Sequence, residues 1–134
     1  MFEWSNKFSV ANEEVDNQHK QLFKIGETIW QTLKSDKDDK YEEITLLLKE
    51  LVDYTGYHFS CEERLMNLHD LSLDENHVKE HNNFIFKIVH LKSLFIDENQ
   101  HDILLETLNF IADWIAEHIL ETDVKEFKRK LSNI

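Results

Sequence analysis

Apolar residues recur along this chain at steps of three and four, the spacing of one helix face, in four stretches parted by short polar runs. The first stretch, residues 16–35, sets Leu22, Phe23, Gly26, Ile29, Trp30 and Leu33 on one side, and the run SDKDDK at residues 35–40 ends it. The second starts after Asp39, which reads as an N-cap with Glu42 three residues on, and continues through Ile44, Leu48, Leu51 and Thr55 toward Met66. Ser72 and Glu75 form the capping-box pattern that opens a third helix bearing Phe84, Ile88, Leu91 and Phe95, and DENQ at residues 97–100 closes it. The fourth bears Leu104, Leu108, Ile111 and Ile115 and is expected to end near Leu120, with a short amphipathic helix following at residues 124–131. Short loops favour antiparallel neighbours, so the pattern predicts an all-α fold: an up-down-up-down antiparallel four-helix bundle. The first dozen residues, with Trp4 and Phe8, read as an ordered N-terminal arm. No repeat or linker divides the chain, which is expected to form a single domain over residues 1–134.

Composition narrows the function. The chain has no proline and only two glycines, Gly26 and Gly56, too few to build the tight turns of an all-β fold. Its net charge of −12 repels phosphate backbones and anionic lipid, which sets aside nucleic acid and membrane partners. No apolar run exceeds three residues, as at residues 46–48, far short of a membrane span. No charged-then-apolar leader precedes Phe2, so the mature chain is expected to begin near Met1 and to stay in the cytoplasm, as a monomer by default. The single cysteine, Cys61, cannot pair internally, which fits a reducing compartment. Lying between two candidate metal-binding positions, it reads as a buried spectator thiol.

The unusual feature is the eight histidines. Extending each apolar stripe by the same steps runs into histidine and glutamate. Leu22 and Phe23 step back to His19; Leu51 and Thr55 step forward to His58 and Glu62; Phe84 steps back to His81 and His77; Ile115 steps forward to His118. In an antiparallel bundle these positions fall at the starts of the first and third helices and the ends of the second and fourth, which is one layer at one end. Five imidazoles and a carboxylate cannot all satisfy one another in an apolar interior, whereas a metal centre satisfies them together. His69, His90 and His101 fall outside the layer and read as solvent-facing. The pairs His58/Glu62 and His77/His81 stand at i, i+4, one turn apart on one face. Asp123 is five residues past His118, about 140° off that face at ~100° per residue, so its carboxylate reaches inward only if the fourth helix loosens or bends beyond His118.

These motifs resemble the hemerythrins, in particular the short stand-alone bacteriohemerythrins. The likeness rests on Asp16-Asn17-Gln18-His19 with Leu22-Phe23, on His58-Phe59-Ser60-Cys61-Glu62-Glu63 with Leu65-Met66, on His77-x-x-x-His81, and on Trp114-Ile115-x-x-His118 with Asp123. The family's common Tyr-Pro after the second helix is replaced here by Asp70-Leu71, a loop change that leaves every ligand position intact. The resemblance implies a non-enzymatic protein that binds dioxygen reversibly at two iron ions, Fe2+ or Fe3+, joined by an oxo or hydroxo bridge. It places His77, His81 and His118 on one iron, His19 and His58 on the other, and Glu62 and Asp123 as carboxylates bridging both. Five histidines, two bridging carboxylates and the bridge fill all but one position of two octahedral irons, and the open one lies beside His19 and His58. Phe59, Trp114 and Ile115 are implied as the apolar pocket around it. Neutral imidazoles put less anionic charge on iron than the four carboxylates of ferritin-like sites, which disfavours the ferric state and suits reversible binding.

Two enzymatic readings compete. His77-Val-Lys-Glu-His81 fits the H-x-x-E-H string of zinc peptidases, with Glu80 as general base, but one tetrahedral zinc leaves His19, His58, Glu62 and Asp123 unexplained. A ferritin-like oxidase needs two Glu-x-x-His repeats, and the one copy here, Glu98 to His101, lies in a loop. Within the family the alternatives are oxygen sensing and iron or NO buffering. With no signalling domain in these residues, the expected role is carriage, storage or delivery of oxygen to an oxygen-consuming enzyme.

Overall fold

The computed structural model describes residues 2–131, so the expected start at Met1 lies outside the described residues. The helices are α1 (Glu13–Lys34), α2 (Tyr41–Leu68), α3 (Glu75–Ser93), α4 (Gln100–Trp114), a π-helical segment (Ile115–Asp123) and α5 (Val124–Leu131), after a 3₁₀ turn at Asn6–Phe8. Among the described residues there is no strand, and no helix is long and apolar enough to cross a membrane. Leu22, Ile29, Leu48, Leu51, Phe84, Ile88, Leu91 and Ile111 are fully buried and form the main core. A smaller cluster of Val10, Val15, Met66, Leu73 and Phe127 closes the end where the histidines lie.

Helix α1 begins three residues before the apolar stripe. Asn12 caps it by accepting from the Val15 amide (3.0 Å), and Glu13, Glu14 and Asp16 complement the positive end of the helix dipole. Asp16 also grips the preceding turn, accepting from Ser9 Oγ (2.6 Å) and the Val10 amide (2.8 Å). This hold keeps Ala11 in the left-handed region, at φ 59°. Upstream, Trp4 and Phe8 pack with Phe23 in tilted and edge-to-face contacts, with centroids 4.9–5.7 Å apart. Phe2 lies over Gly26, where a Cβ would meet its ring at 3.0 Å, so this glycine is the notch that seats it.

Neither helix starts where its expected cap places it. Lys40 rather than Asp39 directly precedes α2, although the Asp39 carboxylate still accepts from the Tyr41 amide at the helix start (3.1 Å) and from Gln100 Nε2 (3.0 Å). Asp74 rather than Ser72 precedes α3, its carboxylate held by Lys130 and Arg129 from α5. Phe95 is not on the α3 stripe: the chain turns extended at Leu94, and Phe95 is 79% exposed. Helix α2 ends in a Schellman motif, with Leu71 N on Met66 O (2.9 Å), Asp70 N on Asn67 O (3.1 Å) and Asp70 left-handed at φ 57°. Asp70-Leu71 therefore closes the helix, and Leu71 packs against the cluster containing Met66.

The fourth helix does not end near Leu120. It passes through the π-helical segment directly into α5 and stays helical to Leu131. At one end of the molecule Gln100 accepts from the Lys40 amide (2.7 Å), joining the starts of α2 and α4. At the other, the starts of α1 and α3 meet the end of α2 and the π-helical segment, and there the functional side chains gather.

Candidate metal centre

His19, His58, Glu62, His77, His81, His118 and Asp123 are all buried, at 0–3% exposure, although each is ionisable. They form two groups, His77/His81/His118/Asp123 and His19/His58/Glu62/Asp123, each with ligand-type atoms within 4.8 Å of one another. The π-helical segment supplies the geometry that brings Asp123 in. Its hydrogen bonds run i to i+5, so residues five apart stack nearly above one another, and His118 Nε2 and Asp123 Oδ1 come within 3.1 Å. An α-helix would turn that carboxylate away.

The two carboxylates divide their oxygens between the groups. Glu62 Oε1 approaches His58 Nε2 (2.6 Å) and His19 Nε2 (3.4 Å), while Oε2 approaches His77 Nε2 (3.3 Å) and His81 Nε2 (3.5 Å). Asp123 Oδ2 approaches His19 Nε2 (3.2 Å), while Oδ1 approaches His77 (2.7 Å) and His118 (3.1 Å). Each carboxylate thus spans two clusters of imidazole nitrogens.

These contacts lack hydrogen-bond alignment. Among the described residues, the buried side-chain nitrogens and oxygens without a hydrogen-bond partner all belong to these seven side chains, eleven atoms in total. Other buried polar groups look after themselves: Thr107 donates to the carbonyl one turn back (2.7 Å), and Thr55 does the same to Leu51. Neighbouring donors around one ion at ~2.1 Å stand about 3 Å apart, which matches the 2.6–3.5 Å crowding here. The donor set fits two metal ions.

The electrostatics agree. Burial works to raise the carboxyls of Glu62 and Asp123, but His58 and His118 respectively, aided by the other facing imidazoles, hold both well below the usual range. Burial likewise works against charge on His19 and His77, yet Asp123 and Glu62 lift them to about 9 and about 11. Burial wins at His81, pushed down to about 3. Two ionised carboxylates at zero exposure require positive charge between them, whether protons or metal.

A family profile described as "Hemerythrin HHE cation binding domain" matches residues 10–129. The chain belongs to the hemerythrin family. It is 36% identical over 124 residues to a bacteriohemerythrin of Clostridium acetobutylicum, covering 92% of this chain and 96% of that one. It is 30% identical over 124 residues to a hemerythrin-like protein of Naegleria gruberi (92% and 89%) and 30% over 122 residues to a bacteriohemerythrin of Campylobacter jejuni (90% and 88%). No solved structure matches significantly.

Around the seven side chains, this hemerythrin domain has a supporting layer that sequence reasoning missed. His58 Nδ1 lies 2.6 Å from Gln18 Oε1, His77 Nδ1 3.0 Å from Glu126 Oε2, and His118 Nδ1 3.0 Å from Glu80 Oε1. An accepting oxygen places the proton on Nδ1 and turns the Nε2 lone pair inward. Glu80, the base of the zinc-peptidase reading, thus supports His118 and also accepts from Thr122 Oγ1 (3.0 Å). Cys61 is buried but belongs to neither donor group; its Sγ lies 3.6 Å from the Arg64 guanidinium. His69, His90 and His101 are exposed.

The three apolar residues singled out in sequence differ in placement. Phe59 stacks on His81 (3.8 Å, 8°) and lies 5.7 Å from His58, and Trp114 stacks on His118 (4.0 Å, 16°), so both rings brace imidazoles of the three-histidine group. Ile115 lines a cavity of about 190 Å³ with Phe8, Phe23, Ala116 and Leu120.

Proposed function

We propose that this chain binds dioxygen reversibly at a non-haem di-iron centre and serves as an oxygen carrier or store, or delivers oxygen to an oxygen-consuming enzyme. The observation that carries the reading is that, among the described residues, the buried polar side-chain atoms left without a partner all sit on seven side chains facing one another. Two iron ions with an oxo or hydroxo bridge supply the electrons that dioxygen borrows when bound and returns when it leaves.

His77, His81 and His118 hold one ion, His19 and His58 the other, and Glu62 and Asp123 bridge them. The division of each carboxylate's oxygens between the two groups supports this assignment. Two histidines against three would leave room for dioxygen on the His19/His58 side. There Ile115 and Phe59 exclude water and anions, while Trp114 holds His118 in place. The meeting of the starts of α1 and α3 with the end of α2 and the π-helical segment supports the up-down-up-down antiparallel bundle. The segment before α1 acts as an arm laid on it, and residues 1–134 form one domain. The reading is of a cytoplasmic monomer without enzymatic activity, whose partner is dioxygen rather than nucleic acid or membrane.

Oxygen titration followed by absorption spectroscopy tests this reading. The iron-loaded, anaerobic protein should gain a visible band with dioxygen and lose it under vacuum over repeated cycles. Irreversible bleaching with release of peroxide would instead mark an oxidase. Ile115→Ala opens the wall to water, so the oxygenated form should decay roughly tenfold faster, ~1.4 kcal/mol off the barrier, with iron content unchanged. An unchanged decay rate would remove Ile115 from the pocket.

A further inference from the structure

The two donor groups are not supported alike. On the three-histidine side, His77 is backed by the carboxylate of Glu126 and His118 by that of Glu80, each at 3.0 Å. On the other side His58 has the neutral amide of Gln18, at 2.6 Å. Nδ1 of His19 and of His81 has no hydrogen-bond partner. A carboxylate pulls on the Nδ1 proton harder than an amide oxygen does, which makes Nε2 the better donor to a cation.

The two carboxylates also differ. Glu80 is 37% exposed and its charge is screened by water, whereas Glu126 is 4% exposed. Glu126 is fixed from a second direction as well, since its oxygens accept from the Asp74 amide at 3.3 and 3.4 Å. Lys130 Nζ and Arg129 Nη2 pair with it only at the long distance of 3.9 Å and so offset part of its charge. Both are directed at Asp74, and Lys130 also donates to the Ser72 carbonyl (2.6 Å). They clasp α5 to the start of α3 and leave the Glu126 carboxylate aimed at His77.

We infer that Glu126 is a positioning residue that makes the His77/His81/His118 site the tighter of the two metal positions, so that the pair of ions is acquired in order, this site first and the His19/His58 site second. The inference rests on the two-metal reading and deepens it. Because Glu126 lies on α5, seating the first ion also draws on the clasp between α5 and α3.

The test is a titration of the full-length apo protein with Co2+ under anaerobic conditions, read by visible absorption. Two phases of one equivalent each are expected, separated by tenfold or more in affinity. Glu126→Gln keeps the shape and removes the charge, and should weaken the first phase about 10- to 100-fold while sparing the second. Gln18→Glu, the reciprocal change, should strengthen the second phase and spare the first. This gain cannot come from a damaged fold, and far-UV circular dichroism verifies both variants. A single phase of two equal equivalents, or a Glu126→Gln variant that weakens both phases equally or neither, overturns the ordering and leaves the two-metal reading standing. Uptake of fewer than two equivalents overturns both.

Discussion

Removing the metal with a chelator is expected to lower the melting temperature by on the order of 20 °C. Nine buried polar atoms, the five imidazole Nε2 and the four oxygens of Glu62 and Asp123, lose their only partners in the apo protein, and two carboxylates at zero exposure lose their neutralising charge. A ligand bound only by the folded state, held at a thousand times its Kd, stabilises by ~4 kcal/mol per site, so two sites give about 8 kcal/mol. For a domain of this size each kcal/mol moves the midpoint by roughly 3 °C. Part of the apo deficit is recovered by protons, since Asp123 and Glu62 lift His19 and His77 well above their ordinary values, so the apo form should still fold. Thermal melts of the loaded and chelated protein monitored at a helix wavelength measure the difference. Midpoints within 2–3 °C of each other, a spread of ~1 kcal/mol, would mean that the seven side chains are satisfied without metal.

Glu62→Ala should lose iron altogether. The residue gives one oxygen to each imidazole group, so its removal takes a donor from both ions at once. Loss of a supporting contact to a ligand commonly costs 10- to 100-fold in affinity, and loss of a bridging ligand should cost at least ~100-fold at each position. Iron analysis after desalting should find little iron, against two per chain in the unaltered protein. A second readout separates this from simple misfolding. In the apo protein Glu62 is paired with protonated His19 and His77, so its removal should lower the apo melting midpoint, while far-UV circular dichroism at 25 °C should still report a helical fold. Retention of both ions would show that Glu62 does not bridge.

The helical pattern and the site differ in how far they could be read from the letters. The inward histidines were legible because they interrupt apolar stripes at regular steps, and antiparallel packing then forces positions such as His19 and His118 into one layer. Asp123 was legible only as a conflict between i, i+5 spacing and α-helical geometry, a conflict the π-helical segment resolves. The end of the fourth helix was misplaced for the same reason: a π turn absorbs the extra residue without breaking the helix. The two caps are displaced: Asp39 still accepts from the Tyr41 amide but shares its oxygen with Gln100, some sixty residues on, and Asp74, held by residues of α5, stands before α3 in place of Ser72. Gln18 stands in the motif that ends at His19 and Glu80 in the H-x-x-E-H string, but neither pattern points to a contact with His58 or His118, and Glu126 leaves no trace at all. The three meet their histidines across 38 to 49 residues of sequence, and nothing in their own spacing marks those contacts.

The most direct test of the account is a crystal structure of the iron-loaded protein with anomalous diffraction recorded at the iron edge. Two iron peaks are expected, one among His77, His81 and His118 and the other beside His19 and His58, with the carboxylates of Glu62 and Asp123 between them. A single peak, or imidazoles turned away from an empty layer, would contradict it.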